Sequence, residues 1–148
     1  MIGIIGGTGL TQLAGLEVLE SKWIDTPFGE PSAALTFGQI AGKNVVFLAR
    51  HGDPHQIPPH KINYRANISA LSQAGVKQII AVNAVGGIHE SLGPAELAIP
   101  DQIIDYTHGR EHTIYDASSK DLDHVDFTFP YSPNLRASLL EIAERVEV

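Results

Sequence analysis

Apolar positions in this chain fall into short, closely spaced runs, and only two long stretches keep a helical period. Residues 2–5, 16–23, 33–40 and 44–49 read as strands, the first a short buried run and the last rich in valine. Between the last two, Ile40-Ala41-Gly42-Lys43-Asn44 has the composition of a hairpin turn. Residues 76–82 form an apolar run interrupted only by Lys77 and Gln78, the pattern of an interior strand, and 98–107 give one more strand candidate. A helix is expected after Asn63, a natural N-cap, with Tyr64, Ile68 and Leu71 as its apolar stripe and Gly75 beyond its end. A second is expected over 133–146, with Ser132 as N-cap, proline at its first position and Leu135, Leu139, Ile142 and Val146 on one face. A short helix at 10–14 would end at Gly15. Residues 26–31 are a loop by composition, and 108–132 are polar without a period, a length that in a compact domain is usually functional or mobile. Strands interleaved with helices predict an α/β fold.

Three of these strands end in groups that suit a ligand. The first leads into Gly6-Gly7-Thr8-Gly9, where free backbone N–H groups and the Thr8 hydroxyl can converge on an anion. A dinucleotide-binding turn would need a third glycine where Gln12 stands, and a plain tight turn is the bland alternative. The fourth strand leads into Arg50-His51, and the run 76–82 leads into Asn83-Ala84-Val85-Gly86-Gly87. Ligands of α/β sheets sit beyond the carboxyl ends of strands, so the coincidence carries more than any one segment.

Charge sharpens this. The chain carries a formal −7, yet residues 48–71 hold two arginines, a lysine, three histidines and three prolines. Cations and stiff residues concentrated in one strand-to-helix loop point to a bound anion. Arg50 offers the planar fork that matches phosphate oxygens, with a surface ion pair as its alternative. His51 either donates to the same anion or is a histidine satisfied by its own surroundings; His55 and His60 are weaker candidates. His51-Gly-Asp53-Pro-His55 lacks the spacing of a zinc site, and His108-Gly-Arg-Glu111-His112 lacks the helix that would support one. The acidic balance disfavours a general role on nucleic acid. With 148 residues, no cysteine, no leader-like start and no run of about 20 apolar residues, the reading is one soluble, cytoplasmic domain without disulfides, thiolate metal sites or a membrane span.

Gly6-Gly7-Thr8-Gly9, then Arg50-His51-Gly52 with Pro59-His60-Lys61-Ile62-Asn63-Tyr64-Arg65-Ala66-Asn67, then Asn83-Ala84-Val85-Gly86-Gly87 resemble, in order, the trimeric purine nucleoside phosphorylases. The nearest branch is that of the methylthioadenosine and methylthioinosine phosphorylases, and the 53–67 run is similar to the bacterial methylthioinosine enzymes. The resemblance implies a mixed β-sheet flanked by helices, of the phosphorylase/hydrolase-like kind. It implies an enzyme that uses inorganic phosphate as co-substrate, with no cofactor and no metal, to split a 5′-methylthio purine nucleoside. Thr8, Arg50, His51, Asn83 and Ala84 are then the phosphate-binding residues, and Asn83 keeps a polar donor where animal methylthioadenosine phosphorylases carry threonine. His124 corresponds to a histidine that reaches the neighbouring subunit's 5′ pocket, which implies a homotrimer; an exposed loop histidine is its alternative. Val125, Phe127 and Phe129 beside it favour an apolar 5′ group. Family members continue past the position of Val148, and that part carries the base-protonating aspartate and the base-recognition residues. The 148 residues are therefore expected to hold phosphate without turning over a nucleoside.

Overall fold

A computed structural model of the chain describes residues 1–7, 13–115 and 123–146. They divide into two compact units. The first comprises Met1–Ala84 with Arg110–Ile114, and the second comprises Val85–Gly109 with the part from Tyr115 onward.

The first unit is built on a five-stranded mixed sheet. Strands β1 (Ile2–Gly6), β2 (Glu17–Lys22), β3 (Leu35–Ile40), β4 (Lys43–Ala49) and β5 (Gln78–Ala81) lie in the order β2-β3-β4-β1-β5. Helix α1 (Tyr64–Gln73) joins β4 to β5. The expected strands over 2–5, 16–23, 33–40, 44–49 and 76–82 are all present with ends shifted by a few residues. The β3–β4 hairpin pairs Ile40 with Lys43, leaving Ala41 and Gly42 at φ 48° and 70°. Both central residues of such a two-residue turn need the left-handed region, which is why a glycine stands there. β1 pairs in parallel with both β4 and β5, so these three strands present their carboxyl ends at one edge.

β4 is the centre of the core. Val45 through Ala49 are all buried, as expected for a strand covered on both faces. Val46 and Leu48 pack with Leu35, Ala70, Leu71 and Val76. β2, by contrast, is an edge strand with every residue exposed.

Helix α1 starts at the expected cap: Asn63 Oδ1 accepts from the Ala66 N–H at 3.1 Å. Its buried face differs from the expected stripe. Tyr64 and Ile68 are exposed, and the face turned inward is Ala66, Asn67, Ala70 and Leu71. Small alanines let the helix lie close to its neighbours, a benefit that side-chain hydrophobicity alone does not register. Asn67 can be buried because Ser32 satisfies it: Oδ1 accepts from the Ser32 N–H at 2.7 Å and Nδ2 donates to the Ser32 hydroxyl at 3.0 Å. One turn earlier, Asn63 Nδ2 donates to the Phe28 carbonyl at 2.7 Å. The two asparagines of N-Y-R-A-N therefore clamp the 28–32 loop onto the helix.

Among its described residues the second unit has one element, helix α2 (Pro133–Arg145), capped by the Ser132 hydroxyl, which accepts from the Leu135 N–H at 3.3 Å. Arg136 ties it to the preceding chain by donating to the carbonyls of Pro100 and Ile99 at 3.1 and 3.4 Å. Of the expected apolar face, Leu135 and Leu139 are half-buried, while Ile142 and Val146 are exposed. The strand expected at 98–107 is absent: this segment is irregular and no strand pairs with it among the described residues. A strand exists only within a ladder, and apolar alternation without a partner does not make one. The 108–132 stretch carries no helix or strand where it is described.

Candidate active site at the edge of the parallel strands

Parallel pairing sets Gly6 opposite Ala49 and Ile5 opposite Ala81. The residues that follow, Gly7, Arg50 and Val82, are thereby delivered to one edge. Two main-chain bonds extend the ladders past the strand ends, Arg50 N–H to the Gly6 carbonyl at 3.0 Å and Val82 N–H to the Ile5 carbonyl at 2.9 Å.

Arg50 spans this edge. Its Nη1 donates to the Val82 carbonyl at 2.6 Å, across 32 residues of sequence, and its Nε donates to His51 Nε2 at 3.1 Å. Among the described residues Nη2 has no partner. A Cβ built on Gly7 would come within 3.1 Å of Nη2, tighter than ordinary contact. Glycine at position 7 therefore leaves the guanidinium its room, and the backbone of β1's end lies directly against it. The fork is fixed at two points and keeps its remaining N–H donors for something else.

His51 is held from several sides. The chain turns at Gly52, whose φ is 85° and whose N–H donates to the Ala49 carbonyl at 3.1 Å. The loop then closes on His51: its carbonyl accepts from the N–H groups of Gln56 and Ile57, both at 2.9 Å, and its Nδ1 meets the Ile57 carbonyl at 2.8 Å. The His55 ring stacks on it with centroids 4.4 Å apart. Both ring nitrogens of His51 thus meet groups of the chain itself, Nδ1 the Ile57 carbonyl and Nε2 the Arg50 Nε.

Asn83 and Ala84 follow Val82 directly, exposed and without hydrogen bonds among the described residues. Thr8, the remaining expected phosphate residue, lies outside the described residues, as do Gly9 and most of the short helix expected at 10–14. His124 is exposed in the second unit, as are Val125, Phe127 and Phe129. Among the described residues no three His, Asp or Glu side chains gather as a metal would require.

The acceptors that orient Arg50 and His51, the carbonyls of Val82 and Ile57, escaped the sequence reading because main-chain groups carry no residue-type signal. Also unforeseen is a concavity of about 190 Å³ at the start of α1, lined by Ile62, Asn63, Tyr64, Arg65, Arg110 and Glu111. There Arg65 lies 5.1 Å over the Phe28 ring and 3.7 Å from Glu111, with its Nε buried and unpartnered among the described residues. Arg110 sits 4.9 Å over Tyr64.

The phosphorylase superfamily matches the chain over residues 1–148. The chain belongs to that family. It is 53% identical over 137 residues to a probable S-methyl-5′-thioinosine phosphorylase of Pseudomonas syringae pv. tomato, covering 93% of this chain and 56% of that protein. It is 46% identical over 145 residues to the S-methyl-5′-thioadenosine phosphorylase of Hyperthermus butylicus, covering 98% of this chain and 52% of that one. The methylthioadenosine phosphorylase of Schistosoma mansoni, solved in complex with adenine, superposes with a TM-score of 0.90 at 35% identity, over 99% of this chain and 54% of that one. Membership of the phosphorylase superfamily is thus established, and so is the α/β fold with a mixed sheet. The chain spans little more than half the length of these relatives. No helix among the described residues is long and apolar enough to cross a membrane.

Proposed function

We propose that this protein catalyses phosphorolysis of a 5′-methylthio purine nucleoside, with S-methyl-5′-thioinosine as the preferred substrate. Inorganic phosphate attacks C1′ of the ribose, the C1′–N bond to the purine breaks, and the base leaves after taking up a proton. The products are the free purine and 5-methylthioribose 1-phosphate. The observation that carries this reading is Arg50, fixed across the ends of parallel strands with Nη2 beside Gly7 and unpartnered among the described residues. Thr8, Arg50, His51, Asn83 and Ala84 make up the phosphate site. The sugar passes through an oxocarbenium-like state, so a dianion on its face both stabilises the charge and supplies the nucleophile. Such a site works by placing the anion, for which oriented donors suffice.

Residues 1–148 are, in this reading, part of one phosphorylase domain that acts in the cytoplasm as a homotrimer and needs no cofactor. His124 contributes to the 5′ pocket of a neighbouring subunit. The exposed Val125, Phe127 and Phe129 that flank it support an apolar 5′ group there. Relatives named for S-methyl-5′-thioinosine and for S-methyl-5′-thioadenosine both support the branch, and preference for the 6-oxo base follows the higher identity to the former.

The test is phosphate-dependent base release by the full-length enzyme, comparing S-methyl-5′-thioinosine with S-methyl-5′-thioadenosine and inosine. Faster release of hypoxanthine from the first supports the proposal. Preference for either of the others reassigns the substrate within the family. Phosphate binding without release of any base points instead to a non-catalytic phosphate or nucleotide module.

A further inference from the structure

We propose that the His51 side chain acts on phosphate only through Arg50, as a neutral hydrogen-bond brace that sets the guanidinium, and does not itself give a proton to the anion. This rests on the phosphate site proposed above and assigns a division of labour within it.

The Ile57 carbonyl has no proton to give, so the 2.8 Å contact requires Nδ1 of His51 to carry one. The Nε of Arg50 has a proton and no lone pair to offer, so the 3.1 Å contact requires Nε2 of His51 to be bare. Together they admit one form of the ring, neutral and protonated at Nδ1. In that form neither nitrogen has a proton left for a ligand. The ring is not free to rearrange cheaply, because the Gln56 and Ile57 N–H groups pin the His51 carbonyl and His55 covers a ring face.

The consequence for Arg50 is geometric. A guanidinium at the end of a three-carbon stem is flexible unless its plane is fixed at more than one point. Val82 fixes Nη1 and His51 fixes Nε, on different sides of the planar group, and Nη2 is left beside Gly7. His51 is thus a positioning residue. The adjacent Arg-His pair is then one side-chain ligand and its brace, not two side-chain ligands for one anion.

The experiment uses the full chain with histidine-selective nitrogen-15 labelling. Long-range proton–nitrogen correlations at neutral pH report each ring nitrogen's protonation, and His51 is assigned by the signal that disappears in His51→Gln. The expected result is Nδ1 protonated and Nε2 bare, unchanged when inorganic phosphate is added to saturation. Phosphate dissociation constants supply the second readout. In His51→Gln the side-chain oxygen can reach the place of Nε2 and accept from Arg50, so affinity stays near wild type. In His51→Asn the acceptor is too short, and affinity falls by about tenfold, the scale of a lost bond to a charged donor. A proton on Nε2 in the phosphate-bound protein overturns the inference, as does equal loss of affinity in the two variants with both folded. Arg50→Met separates this from the parent reading: wild-type phosphate affinity in that variant removes the site itself, whatever the tautomer of His51.

Discussion

The two units of this chain settle their apolar surface in different ways. The first closes a core around β4, where Val46 and Leu48 are fully buried against β3 and α1. The second has a well-capped helix with no buried residue, and Phe127 and Phe129 remain exposed near it in sequence. A capped helix whose apolar face is only partly covered draws more of its stability from local terms, whereas the sheet draws on the burial of whole side chains. The proposed phosphate site sits with the closed core. A guanidinium can be aimed across strand ends only if those ends do not move, and the parallel ladders of β4, β1 and β5 hold them.

The contrast is sharpest under truncation of an apolar side chain. Leu48→Ala is expected to destabilise the first unit by about 2–5 kcal/mol, while Leu139→Ala in α2 costs about 1 kcal/mol or less. Denaturant unfolding followed by far-UV circular dichroism measures both, and equal losses would erase the distinction. Next in size is Asn67→Ala, which leaves the Ser32 N–H without its partner and is expected to cost about 1–3 kcal/mol. Loosening of the 28–32 loop, read as faster amide exchange at Ser32, should accompany it. Ser132→Ala removes the cap of α2 for about 1 kcal/mol, and hydrogen exchange should quicken in α2 while β4 keeps its protection. Faster exchange in β4 would mean that the units are not separate in stability.

The smallest effect is one of pH. Hydrogen bonds from the Thr128 hydroxyl and N–H hold the exposed Asp126 carboxyl below the usual carboxylate range. A lowered folded value means that this local turn is favoured above the ordinary carboxylate pKa and is lost as pH falls through the lowered one. The Thr128 amide resonance should therefore move in acid, and Asp126→Asn should abolish the movement. A titration at the unshifted carboxylate value would contradict it.

Much of this was legible in the sequence. The five strands, the hairpin at Ala41-Gly42 and the caps Asn63 and Ser132 follow from local patterns, and the structure keeps them. What failed depended on neighbours distant in sequence. Ile68 looked like a core residue of α1, yet Ala66 and Ala70 face inward, because closeness of approach decided the packing. Residues 98–107 had a strand's composition without a strand to pair with. Asn63 and Asn67 stood out as part of a functional signature, and both spend their side chains holding a loop. Arg50 was singled out for its chemistry, but the carbonyl that aims it lies 32 residues away.

The most direct trial of the account is a crystal of the protein grown in inorganic phosphate. A tetrahedral anion should sit within hydrogen-bond reach of Arg50 Nη2 and the Ala84 N–H, with the Val82 and His51 bonds to the guanidinium intact. Density that shows Arg50 swung into solvent, or phosphate bound only elsewhere, would contradict it.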